Sequence, residues 1–284
     1  MAPQPLSVRT DDGATLSGEE IAAEESARPI VLLHGLTATR RYVVMGSRLL
    51  ERSGWRVIAY DARGHGHSSP APEPSAYGYA RLAADLTAVL DSSGVERAAL
   101  AGASMGAQTA LRFALDHPER VAALGLITPA FDPALRAAPD AFAGWDALAQ
   151  GLRERGVDGF LDAYDFSQVP DAWRGTVERV VRQRLSAHQY PDAVADALEV
   201  VPRSRPFEDF AELRRIETPT TVVASRDEAD PGHPLAVAER YAAAIPGATL
   251  VVEDEGPPAR SPIAWQGGQL SKMLLDLLGR ARWE

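Results

Sequence analysis

The chain has 284 residues, a formal net charge of −10, and 45% apolar and 24% charged side chains, the balance of an ordinary globular domain. So acidic a chain lacks the clustered cations that nucleic acid or an anionic membrane demands, so neither is an expected partner. Cysteine is absent, which excludes disulfides, thiolate catalysis and Cys-ligated zinc.

Residues 1–8 show no basic segment leading into an apolar run, so no secretory signal is expected. No apolar stretch approaches the roughly 20 residues that cross a bilayer. A cytoplasmic protein is the expectation, and at this length a single α/β core with one insertion.

Residues 6–9 and 14–20 alternate apolar and polar side chains around Asp11-Asp12-Gly13, which predicts a hairpin. The run 29–33 suits a strand buried on both faces and stops at His34-Gly35. A helix is expected over about 42–53, then a second buried strand at 55–60 that enters a glycine-rich loop, Asp61 to Ser68. Helical spacing of Leu82, Leu86, Val89 and Leu90, with Gly94 beyond, predicts a helix over 77–92. Strands follow at 98–103 and 121–127, separated by a helix over 107–117 that halts before Pro118.

From 132 to 217 the alternation stops, and several helices with interspersed aromatic residues are expected, their rings forming a small core of the insertion. Strands at 220–224 and 249–252 then resume, with helices over 235–244 and 268–280. Alternating strands and helices imply an α/β fold, a mostly parallel central sheet flanked by helices. Ligands bind such sheets at the carboxyl ends of the strands.

That edge carries the decisive motif, Gly102-Ala103-Ser104-Met105-Gly106, between a strand and a helix. A serine on so sharp a turn stands above the sheet, and only small residues fit two places to either side. The helix behind it aims free N–H groups at the site. Gly35 lets backbone come close, so the amides of Leu36 and Met105 form a candidate oxyanion hole. His34 is read as a support for its loop.

Taken together, His34-Gly35, the Asp61-x-Arg63-Gly64-x-Gly66-x-Ser68 loop and the Ser104 elbow resemble the α/β-hydrolase family. The resemblance spans nearly the whole chain and implies a core from 1–131 and 218–284, with a helical cap at 132–217. It implies Ser104 as nucleophile, Leu36 and Met105 as the oxyanion hole, and an acid after the strand that follows the cap. Asp230 is favoured there, with Asp227 as its rival. His65 and His67 match a loop that is structural in the family. The resemblance implies no cofactor, and the sequence carries no phosphate loop, zinc motif or full dinucleotide fingerprint.

The pattern then breaks. In the family a Gly-His pair follows the last strand, but here Pro257 and Pro258 occupy that region and no histidine occurs after His233. Without a base a serine hydroxyl is a poor nucleophile near neutrality, and losing the triad histidine costs on the order of 10⁶ in turnover. An incomplete triad is therefore expected, with three substitutes open: His233 or His188, a carboxylate among Asp227, Asp230 and residues 253–255, or no covalent serine chemistry.

Two functions follow. One is esterase- or thioesterase-like hydrolysis of a small, apolar acyl or carbonyl compound at Ser104. The other is a His-less relative that binds an apolar ligand or runs lyase- or isomerase-type chemistry.

Overall fold

The hairpin expected at the start of the chain pairs β1 (Gln4–Arg9) with β2 (Thr15–Ile21) antiparallel, Val8 opposite Leu16. Gly13, at φ +92°, supplies the backbone that this turn requires. The computed structural model describes residues 2–22, 24, 27–135, 140–226, 230, 232–254 and 263–283, without the side chains of Gln168 and Ala172.

The remaining strands are β3 (Pro29–Leu33), β4 (Arg56–Tyr60), β5 (Ala98–Ala103), β6 (Val121–Ile127), β7 (Thr220–Ala224) and β8 (Thr249–Val252). The eight-stranded sheet has the order β1-β2-β4-β3-β5-β6-β7-β8, parallel from β4 through β8. After β3 the chain steps outward to β4, then returns to β3's other side as β5. That reversal leaves a crevice above the carboxyl ends of β3 and β5, which is where doubly wound sheets place ligands.

The strands are apolar throughout because each face is covered. Val31, Leu33, Ile58 and Leu100 point into one core with α2 (Tyr79–Ser92), α3 (Met105–Asp116) and α7 (Leu235–Ala244). Their neighbours Ile30, Leu32, Val57 and Ala99 point into the other, beneath α1 (Leu49–Arg52) and α8 (Gly267–Leu278). Successive strand residues thus feed opposite layers, as the two-residue pleat dictates.

The helix expected over 42–53 is interrupted. A 3₁₀ turn at Arg40–Tyr42 and the short α1 are separated by Met45 (φ +47°) and Gly46 (φ +74°), whose left-handed backbone ends any helix.

Between β6 and β7 lie α4 (Ala143–Ala163), kinked at Gly156 (φ +62°), α5 (Asp171–Leu185) and α6 (Pro191–Val200). Ala149, Leu152 and Phe160 of α4 share a small core with Val194 and Leu198 of α6. The expectation that the insertion's aromatics build its own core holds for Phe160. It fails for Phe207 and Phe210, whose rings pack edge-on against Tyr241 of α7 and join the main core. Among the described residues no helix is long and apolar enough to cross a membrane.

Candidate active site

Ser104 sits where β5 breaks into α3, at φ +50° and ψ −111°. The turn is held because Ser104 N–H donates to Ile127 O at 2.9 Å and Ser104 O accepts from Gln108 N–H at 3.1 Å. A Cβ on Gly106 would stand 2.1 Å from Leu33 O, and one on Gly102 would stand 2.2 Å from the Gly106 carbonyl carbon. Both contacts are impossible, which is the physical content of the glycines in the motif. The bend leaves Ser104 half-buried at the strand-tip crevice.

The loop after β3 lies against it. A Cβ on Gly35 would be 3.4 Å from Ser104 Cβ. His34 is buried; its Nε2 accepts from Ala62 N–H at 2.9 Å, so Nδ1 carries the proton and donates to Gly35 O at 2.8 Å. Burial pushes its pKa down to about 3, so it stays neutral and supports the loop. The Leu36 amide has no hydrogen-bond partner among the described residues, and neither does that of Met105, which opens α3.

Asp230 and His233 come from the segment that follows β7. Asp230 N–H donates to Arg226 O at 3.1 Å and His233 N–H to Asp230 O at 3.0 Å. His233 Nδ1 lies 2.9 Å from both Asp230 oxygens, and Nε2 lies 2.9 Å from Ser104 Oγ. Of the three substitutes left open for the missing histidine, the structure brings His233 to the serine. The sequence region after β8 does lack a histidine, but the turn three residues beyond Asp230 carries one into contact with the serine. Pro257, Pro258 and Glu255 lie outside the described residues, as does Asp227, the rival acid.

Two of the other substitutes, His188 and Glu253, are engaged elsewhere. His188 accepts from Gly66 N–H at Nδ1 (2.8 Å) and donates from Nε2 to Thr37 O (3.0 Å). The Glu253 carboxylate accepts from the amides of Arg226 and Ile263. His65 is buried with Nδ1 at 2.9 Å from Arg63 O, while His67 is exposed, and neither is bonded to Ser104. His34, His65 and His188 pack in series, the first pair tilted and the second edge-on, with ring centroids 5.2 and 5.4 Å apart. Among the described residues no group of three or more His, Cys, Asp or Glu is placed to hold a metal ion.

Electrostatics favour the charge pair that proton transfer creates. Burial alone would lower the His233 pKa, but the charge and hydrogen bond of Asp230 outweigh it and hold it above the ordinary value. Burial likewise opposes the Asp230 carboxylate, yet His233 and Arg184 keep its pKa below the usual range. Arg184, on α5, was not singled out in the sequence. Its Nη2 donates to Leu36 O (2.9 Å) and Thr37 Oγ1 (2.8 Å), and its charge reaches both Asp230 and His233. No sequence motif marks it. The Asp-x-x-His spacing, by contrast, was visible and is short enough for one turn.

With this geometry in place the family can be stated: the model of the α/β hydrolase fold matches residues 28–259, and the chain belongs to that family. It is similar to RutD of Variovorax paradoxus, a protein named for carbamate hydrolysis, at 29% identity over 92% of this chain and 95% of that one. It is 31% identical, over 80% of each chain, to the 2-hydroxy-6-oxononadienedioate/2-hydroxy-6-oxononatrienedioate hydrolase 2 of Pseudomonas putida. An esterase structure from Thermogutta terrifontis superposes with a TM-score of 0.77 at 25% identity, covering 98% of both chains.

Proposed function

We propose that the chain hydrolyses a small carboxylic ester or a related acyl bond (thioester, lactone or carbamate) through a covalent intermediate on Ser104. The observation that carries this reading is the His233 ring, bonded on one side to Ser104 Oγ and on the other to Asp230.

Ser104 Oγ attacks the carbonyl carbon as its proton passes to His233 Nε2. Asp230 fixes the imidazole with Nδ1 protonated and stabilises the imidazolium. The carbonyl oxygen gains negative charge and is met by the Leu36 and Met105 amides. Collapse breaks the bond to the leaving group, which takes the proton from Nε2. Water, deprotonated by the same nitrogen, then releases the acid and restores Ser104. Residues 132–217 serve as a cap on the core of 1–131 and 218–284. Ala193 and Ala197 of α6 cluster with Met105 and Leu36, which supports an apolar wall for the acyl group. The non-hydrolytic alternative rested on a missing base, and His233 removes that support.

The test is turnover of a panel of short-chain p-nitrophenyl esters, thioesters, lactones and carbamates. At least one class is expected to be hydrolysed, with Ser104→Ala slower by at least about 10⁴-fold. Activity that survives in Ser104→Ala overturns the reading.

A further inference from the structure

We propose that Arg184 and His188, at the carboxyl end of α5 and just beyond it, are positioning residues that aim the Leu36 amide into the oxyanion hole. Seating of the helical insert and completion of the hole then become a single event. The inference rests on the function proposed above and deepens it.

Three consecutive carbonyls of the loop are pinned. Gly35 O accepts from His34 Nδ1 (2.8 Å) and Ala38 N–H (3.0 Å), both within the core. Leu36 O accepts from Arg184 (2.9 Å) and Thr37 O from His188 (3.0 Å), both supplied by the insert. In a trans peptide the N–H points opposite to the carbonyl before it. Fixing Gly35 O therefore turns the Leu36 N–H the other way, and fixing the next two peptides prevents the loop from rotating out of that arrangement. Thr37 needs such support: it is β-branched and held at φ +64°, a conformation that persists only where its surroundings over-determine it. Arg184 bonds its hydroxyl and His188 its carbonyl.

His188 also ties this clamp to the neighbouring loop. Its Nδ1 accepts from Gly66 N–H (2.8 Å), while Gln189 N–H donates to Gly66 O (2.9 Å). Gly66 is at φ +51°, where a Cβ would fall 2.1 Å from an Asp61 carboxylate oxygen. The insert is thereby anchored to the loops that follow both β3 and β4, the second at a backbone position that accepts only glycine. A contact serving packing alone would need neither four directional bonds nor a defined histidine tautomer.

The clamp acts on a donor used most strongly in the transition state, so its loss falls on kcat rather than KM. For the ester turned over best, Arg184→Ala and His188→Ala are expected to lower kcat about 10- to 100-fold with KM within about twofold. Binding of a tetrahedral boronic acid inhibitor is expected to weaken in proportion. His188→Gln keeps one acceptor and one donor and is expected to restore most of the rate. Backbone amide exchange across 36–38 is expected to quicken in His188→Ala while α3 stays protected. A rise in KM with unchanged kcat overturns the proposal, as does His188→Gln as impaired as His188→Ala. Should His188→Ala fail to fold, Arg184→Ala and His188→Gln still decide it. The exchange measurement needs no turnover, so failure of the proposed function and failure of the clamp are read separately.

Discussion

His233 Nδ1 lies 2.9 Å from both carboxylate oxygens of Asp230, its neighbour three positions earlier on the same turn. Carboxylate and imidazole are thus brought together locally, and only their meeting with Ser104 spans a long stretch of chain. Closing so short a loop costs little entropy. Both residues lie between β7 and α7.

A base must be neutral to accept a proton, and Asp230 raises the His233 pKa above 6.5. The acid limb of kcat/KM is therefore expected above pH 6.5. In Asp230→Asn the raising charge is gone, so the limb moves to lower pH. The rate at the optimum is also expected to fall by about 10²- to 10⁴-fold as the imidazole loses its tautomer. A pH–rate series on both proteins measures this, and an unmoved limb would mean another group titrates.

The elbow glycines are expected to differ sharply from Gly35. Alanine at Gly106 places a methyl 2.1 Å from Leu33 O, whereas alanine at Gly35 meets nothing closer than 3.4 Å. Gly106→Ala is expected to lose at least about 3 kcal/mol of stability or fail to fold. Gly35→Ala is expected to unfold within a few degrees of the parent. Thermal melts of the two variants test the contrast.

Stability is expected to fall on acidification through His34. Its folded pKa is about 3 against an ordinary 6.5, so between those values the unfolded chain binds a proton that the folded chain refuses. The loss begins below about pH 6.5, grows by up to roughly 1.4 kcal/mol per pH unit, and levels off near pH 3. Buried His65 shifts in the same direction. Urea unfolding at pH 7.5 and 4.5 should show a smaller difference for His34→Gln than for the parent.

Arg63 is fully buried, with two bonds to Asp85 (2.7 and 2.6 Å) and two to Asp12 (2.8 and 3.3 Å). Arg63→Met leaves Asp85 buried without its cation and is expected to cost about 3–5 kcal/mol near neutrality. The double variant Arg63→Met, Asp85→Leu is expected to recover much of that loss. Equal instability of single and double variants would contradict the ion-pair account.

The sheet was legible because parallel strands buried on both faces read as short apolar runs, and the Ser104 elbow because its glycines are sterically obligatory. The helix over 42–53 misled because apolar spacing carries no warning of positive φ at a non-glycine such as Met45. The base was harder. His233 was weighed among several substitutes since sequence proximity to Asp230 says nothing about reach to Ser104. The contact becomes visible only in the structure, where His233 Nε2 stands 2.9 Å from Ser104 Oγ. Arg184 and His188 stayed hidden because they act on loop carbonyls far away in sequence.

The most direct measurement is the rate of Ser104 phosphonylation by a fluorophosphonate, followed by intact mass. The expected result is rapid addition of one equivalent to the parent protein and none to Ser104→Ala. In His233→Ala the reaction should slow by at least about 10²-fold. Equal rates in the parent and His233→Ala, or no adduct on the parent after long incubation, would contradict the claim that His233 activates Ser104.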